Sequence, residues 1–216
     1  HAHASQNTGK VMQLVLWATL PGLLALTYHF GWGSLINVLL ATATAVVAEA
    51  LIVQMRGRSV SFYLRDYSAA VTAVLLGLAL PPLAPWWVVV VGTLSSIVIA
   101  KHLYGGLGYN PFNPAMVGYV VLLISFPIQM TSWVIPLALL PEGVSHPGLI
   151  ESLSIVFAGY SPADGVTGPT PLDSFKYSDG LLVEQIYSQN QLFSQAGIAG
   201  VGWEWVNLGF LAGGLV

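Results

Sequence analysis

The chain has 216 residues, of which 55% are hydrophobic and only 7% charged, with a mean hydropathy of +0.74. A soluble domain carries about 25% charged residues, so this chain cannot cover a water-facing surface with polar groups and reads as an integral membrane protein. A net charge of −3 with no basic patch argues against nucleic acid as a partner, and the absence of cysteine removes disulfides and cysteine-held iron–sulfur clusters. The first apolar run is too long for a secretory signal and lacks a small-residue cleavage site.

Residues 1–9 are polar, and His1 and His3 resemble half of a metal site; a terminal tail without a metal is the expectation. Val11–Phe30 has the length of a first span, with Pro21-Gly22 placed to kink it. Gly31-Trp32-Gly33 is a turn, and Leu35–Met55 is the second span. It carries one acid, Glu49, within two turns of its end. Acids inside spans are usually functional, which makes Glu49 a proton or Na⁺ candidate; its nearness to the helix end equally allows a structural acid reaching the interface. Arg56, Arg58, Arg65 and Asp66 then form a solvated loop, with Asp66 and Ser68 as candidate caps for the next helix.

Ser68–Leu80 is apolar but only 13 residues long, a helical rise of about 20 Å against a hydrocarbon core of about 30 Å. Pro81-Pro82-Leu83-Ala84-Pro85 forbids its continuation, and an extended tail there would add about 15 Å. This Pro-broken half-helix is the third of about six expected spans. Trp86–Ala100 follows, closed by Lys101-His102, with His102 expected at the interface. The glycines of Gly105–Gly108 lack the Lys-Ser/Thr of a phosphate loop. The Asn-Pro pairs at Asn110 and Asn113 predict a turn and then a helix opening on Pro114. Ala115–Met130 is the fifth span. Residues 134–195 are polar and acidic, with Lys176 their one base and a surface helix expected over Leu149–Phe157. Ile198–Val216 begins a sixth span. The organisation is thus a membrane domain over 1–133, an external loop region over 134–197, and a span opening at 198–216.

Within the external region lies Asp164-Gly165-Val166-Thr167-Gly168-Pro169-Thr170-Pro171-Leu172-Asp173. Glycine permits tight backbone paths and proline fixes φ, so this is a defined loop able to present a threonine hydroxyl; composition alone equally allows an ordinary connecting turn. Asp-Gly-x-Thr-x-x-Thr-Pro-Leu resembles the flavinylation motif of the RnfD/NqrB family of membrane subunits, with Pro169 where the family usually has alanine. Further resemblance lies in Pro82-Leu83-Ala84-Pro85-Trp86-Trp87, in the segment Gly105–Ala115 and in Phe126–Trp133, and it favours the RnfD branch. The resemblance implies FMN esterified through its phosphate to Thr170 by a flavin transferase, with Asp164, Gly165 and Thr167 in the motif and Thr167 as alternative acceptor.

The same resemblance implies an all-α polytopic membrane protein, the first part of a longer inverted-repeat bundle that continues past Val216. It implies a place in a multi-subunit Rnf-type complex in the bacterial inner membrane, surrounded by lipid. The complex would couple electron transfer between ferredoxin and NAD to Na⁺ or H⁺ transport. Five of the six Lys/Arg fall on one side if 68–85 completes a crossing, which places the N-terminus in the cytoplasm and Thr170 in the periplasm. Helix breaks free backbone carbonyls that suit an ion, so Asn110 and Asn113 join Glu49 as candidates for its path. A channel or transporter without redox chemistry, and a scaffold for partner subunits, are the competing readings.

Overall fold

The computed structural model describes residues 7–178, 180–194 and 200–215. His1, His3, Ile198 and Val216 of the readings above lie outside them. Among the described residues the protein is all-helical, with no strand and one isolated antiparallel bridge, Val134 to Thr167.

Two long helices frame the bundle, α1 (Thr8–Phe30) and α2 (Gly33–Met55). Both are long and apolar enough to cross a bilayer. Asn7 caps α1, its side chain accepting from the Gly9 amide, and the helix continues unbroken through Pro21. The short α3 (Val60–Leu64) leads to α4 (Ser68–Ala79), whose start is capped by Asp66: one carboxylate oxygen accepts from both the amide and the hydroxyl of Ser68. Small residues let α2 and α4 approach closely, with Ala41, Ala45 and Ala48 facing Ala69 and Ala73 in the core around Leu76 and Val88.

The proline run does not extend as expected. Pro81 to Ala84 fold into a turn closed by the Ala84 amide on the Pro81 carbonyl. The turn is held because Asn37, fully buried on α2, donates to that same carbonyl at 2.8 Å. Gly33 packs so tightly on Pro82 that any Cβ there would overlap the Pro82 carbonyl. Ser68–Pro82 therefore runs alongside α2 from its Glu49 end to its Gly33 end.

The chain returns through α5 (Trp86–Leu94), which continues without a break as a π-helical segment, Ser95–His102. Helix α6 (Pro114–Ser125) opens on Pro114 with Asn113 as its cap, as the Asn-Pro spacing predicts. The expected fifth span over Ala115–Met130 is two pieces, since α6 stops at Ser125 and α7 covers Pro127–Thr131. Pro127 supplies no amide and its ring clashes with the preceding turn, so the helix ends at it. The amphipathic helix is present as α8 (Leu149–Ala158). Three short helices follow: α9 (Pro171–Lys176), α10 (Val183–Gln189) and α11 (Gln191–Ser194).

The last helix, α12 (Trp203–Gly214), lies along α1. Gly209 and Gly213 face it at GxxxG spacing, and a Cβ on Gly213 would overlap the Ala18 carbonyl. Phe30, Trp133 and Trp203 form an aromatic cluster at the Phe30 end of this pair, with centroids 4.6 Å and 5.4 Å apart.

Candidate functional site

The threonine loop is fixed on two sides. Upstream, it pairs with residues 133–135: the Ile135 amide donates to the Val166 carbonyl and the Gly168 amide to the Trp133 carbonyl, both at 2.9 Å. Downstream, Thr170 is the cap of α9 and Pro171 its first residue, where the missing N–H costs nothing. Thr170 and Asp173 form a reciprocal box. The Asp173 amide donates to Thr170 Oγ1 at 3.2 Å, while Asp173 Oδ2 accepts from the Thr170 amide at 3.0 Å and from its hydroxyl at 2.7 Å. The hydroxyl is thus half-exposed, held in one direction, and hydrogen-bonded to a carboxylate that can accept its proton.

Two open cavities, of about 540 Å³ and 420 Å³, adjoin Asp173, the partner of this hydroxyl, with Pro169, Asp173 and Tyr177 lining both and Thr170 itself lining neither. The smaller also touches Trp133, Thr167 and Gly168. Volumes of this size hold a ligand of cofactor dimensions, and the tryptophan and tyrosine offer flat apolar faces. The residues therefore fit an aromatic group tethered at Thr170. Of the other motif residues, Asp164 and Thr167 are exposed, and Gly165 has φ 85°, the left-handed region that favours glycine. Thr167 is the bridge residue opposite Val134, held between the backbone bonds of Val166 and Gly168, and it is exposed.

A second polar constellation lies at the opposite end of the bundle, where α2 ends. Glu49 is 1% exposed, Lys101 2% and His102 3%. Lys101 Nζ donates to Glu49 Oε1 at 2.6 Å and to Ser68 Oγ at 2.7 Å. His102 Nε2 stands 3.4 Å from the same Glu49 oxygen without making a hydrogen bond. Arg56 donates to the His102 carbonyl at 2.8 Å, so Arg56, Lys101 and the Asp66 cap share one end. His102, expected at the interface, is buried within the bundle at the end that carries Arg56 and Lys101. The π-helical winding explains why: wider turns reduce the angle between successive residues, letting adjacent Lys101 and His102 both reach one carboxylate.

Asn110 and Asn113 reach this end too. They line a cavity of about 260 Å³ together with Ser68, Thr72 and Lys101. Glu49 does not line it; it lies behind Lys101. The structure thus brings two of the three ion-path candidates to one cavity and links the third through a lysine. The sequence offered no reading of Lys101 as the partner of Glu49 and of Ser68, because 52 and 33 residues separate the contacts. The Thr170–Asp173 box was within reach, since Thr-x-x-acid before a helix is a capping signature.

The family model described as "NQR2, RnfD, RnfE family" matches residues 1–216. The chain belongs to this family. Among curated relatives, it is similar to the ion-translocating oxidoreductase complex subunit (RnfD) of Alcanivorax borkumensis, 56% identical over 218 residues, covering all of this chain and 61% of the relative. It is similar to the corresponding subunits of Vibrio cholerae serotype O1, 52% identical over 229 residues and 64% of that protein, and of Cellvibrio japonicus, 49% over 215 residues and 60%. Each match again covers all of this chain. The chain spans about three-fifths of the length of these relatives. Family membership agrees with the apolar composition and the two long helices in marking a membrane protein.

Proposed function

We propose that the chain is part of the electron-carrying membrane subunit of an ion-translocating oxidoreductase complex, with FMN esterified through its phosphate to Thr170. The observation that carries this reading is the Thr170 hydroxyl itself. It lies inside the flavinylation-like motif and donates to a carboxylate 2.7 Å away, and that carboxylate's residue, Asp173, lines two cavities that share Tyr177, the smaller of which also has Trp133. The relatives are named as subunits of an ion-translocating oxidoreductase complex, which supports the setting.

Threonine is a weak nucleophile near neutral pH and requires a base or a metal; Asp173 would take the hydroxyl proton as a flavin transferase moved the FMN phosphate onto Oγ1, the rest of the flavin donor leaving as its phosphate bond broke. Bound flavin supplies one- and two-electron chemistry. The protein restrains the tether between the 133–135 pairing and α9. The remaining assignments follow the same reading: other subunits of the complex as partners, ferredoxin and NAD as the electron couple, and Na⁺ or H⁺ as the transported ion. The setting is the bacterial inner membrane, crossed by about six spans in this chain. The N-terminus is cytoplasmic and the threonine loop periplasmic. The placement of Arg56, Arg65 and Lys101 at one end and the loop at the other supports that orientation.

The test is a mass spectrum of the peptide bearing Thr170 from the full-length protein matured with its transferase. A mass increment of one FMN, absent in Thr170→Ala, is expected, with yellow colour that survives denaturation. An unmodified peptide in colourless protein overturns the reading and favours a transporter without redox chemistry. The Pro81–Ala84 break and the Asn110–Asn113 cavity would equally serve such a transporter.

A further inference from the structure

We propose that α8 is an interfacial helix, with one side set among the acyl chains of the leaflet nearest the threonine loop. Part of the segment 134–197, which reads as external, thereby returns to the membrane. With successive side chains about 100° apart, α8 divides into three sectors. Ser152, Ile155 and Val156 are buried and face the bundle, where α8 packs on α2. Leu149, Ile150, Leu153 and Phe157 fill a second arc, of about 100°, and all four are exposed, Ile150 by 80%. Glu151, Ser154 and Ala158 make the third, with Glu151 and Ala158 exposed and Ser154 half-exposed. The sectors are centred about 120° apart. A helix lying between protein and water needs two faces, not three. The extra face is apolar, and holding four such side chains against water is unfavourable. Protein on the first side, acyl chains on the second and water on the third match every sector.

The position of α8 makes the second medium lipid. Its start lies beside the corner between α1 and α2: a Cβ on Gly31 would touch His146, just before α8. Its end lies beside the Pro81–Ala84 turn, because Ile155, Gly159 and Tyr160 share a cavity of about 360 Å³ with Leu83, Ala84 and Pro85. Gly31 and that turn both sit at the Gly33 end of α2, so α8 runs across this end of the bundle and not along it. Next in the chain to Gly31 and Pro85 are Trp32 and Trp86, both exposed. Tryptophan at the end of a span belongs at headgroup depth. A helix strung between two such tryptophans lies at that depth, with acyl chains to one side and water to the other. Ile128 of α7 lines the same cavity and is exposed, so the apolar surface continues past the end of α8. Helix α8 carries no lysine or arginine, and the contact therefore rests on apolar side chains and not on anionic headgroups. The proposal does not depend on flavin at Thr170.

Lipid photolabelling of the full-length protein in its assembled complex tests this. Vesicles of phosphatidylethanolamine and phosphatidylglycerol carry a lipid with an aryl-diazirine either high on its acyl chain or at the methyl end of that chain. After illumination, mass spectrometry locates the adducts. The high probe is expected to mark Leu149, Ile150, Leu153 and Phe157 about tenfold more than Glu151 and Ser154, and about tenfold more than the methyl-end probe marks them, as a shallow helix requires. Helices α1 and α2, long enough to meet both probes, are the internal reference. Ile150→Gln with Phe157→Gln turns two polar groups toward the acyl chains and leaves Ser152, Ile155 and Val156 on the bundle. It is expected to cut the α8 adducts about fivefold with those on α1 unchanged; should it not assemble, the unsubstituted protein decides alone. Adducts spread evenly around α8, equal marking by the two probes, or undiminished adducts in the double variant overturn the proposal. So does an unmarked α8 beside marked α1 and α2, which is what a covering subunit would leave. Thr170→Ala removes any flavin and is expected to leave the pattern intact, which separates this proposal from the flavin reading.

Discussion

Thr170 Oγ1 donates to Asp173 Oδ2 at 2.7 Å while Thr170 caps the helix that Asp173 belongs to. Esterification gives up this hydroxyl bond, because an ester oxygen has no proton to donate and a phosphate repels a carboxylate, while the Asp173 amide can still donate to Oγ1 and hold the helix end.

Asp173→Asn retains an oxygen to accept from the Thr170 amide but loses the base. Flavin loading by the transferase is expected to slow about 100-fold, in the range of general-base assistance. Following flavin incorporation over time checks this, and an unchanged rate shows that the transferase supplies the base alone.

Breaking the Lys101–Glu49 pair from one side leaves a buried charge. Lys101→Met is expected to destabilise by about 3–5 kcal/mol, and the double variant Glu49→Gln with Lys101→Met by much less. Thermal or denaturant unfolding of the purified membrane protein provides the comparison.

Gly213→Leu is expected to drive α12 away from the Ala18 carbonyl and to cost more than about 2 kcal/mol. Gly214→Leu is the control, since a Cβ at Gly214 meets nothing within 4 Å. Equal loss of stability in the two variants would show that the α1–α12 contact is not what matters.

Asn37→Leu removes one of two donors to the Pro81 carbonyl and leaves it the Ala84 amide alone. A loss of about 0.5–1.5 kcal/mol is expected, with greater protease sensitivity at the Pro81–Ala84 turn. Limited proteolysis reads the second effect independently of the first.

Much of this architecture was legible in the chain. Apolar run lengths located α1 and α2, Asn113-Pro114 marked the start of α6, and Asp66 caps α4 as a short polar side chain does, while the Asn7 cap of α1 lay in what read as a polar tail. Local chemistry sets these features, so local sequence shows them. Pro127 was equally local, yet the apolar run across it concealed a helix end that its missing amide dictates. The Pro81–Ala84 turn was hidden for a different reason: its geometry is imposed by Asn37, 44 residues away. The charge cluster was hidden in the same way, and the π-helical winding that buries His102 has no residue signature of its own. At the threonine loop, family motif and turn chemistry showed where the hydroxyl would be, but not the aromatic and tyrosine walls, which come from Trp133 and Tyr177 on either side of the loop.

The length of α2 between Gly33 and Glu49, about 24 Å of helix, separates the end that carries the threonine loop from the end that holds the buried ions. Two unit charges that far apart in a medium of intermediate polarity feel each other by about 0.7 kcal/mol, half of a tenfold change in any equilibrium. An electron arriving at one end could barely persuade an ion at the other by field alone. Any strong conversation between them would have to be mechanical, carried by rigid helices sliding against one another.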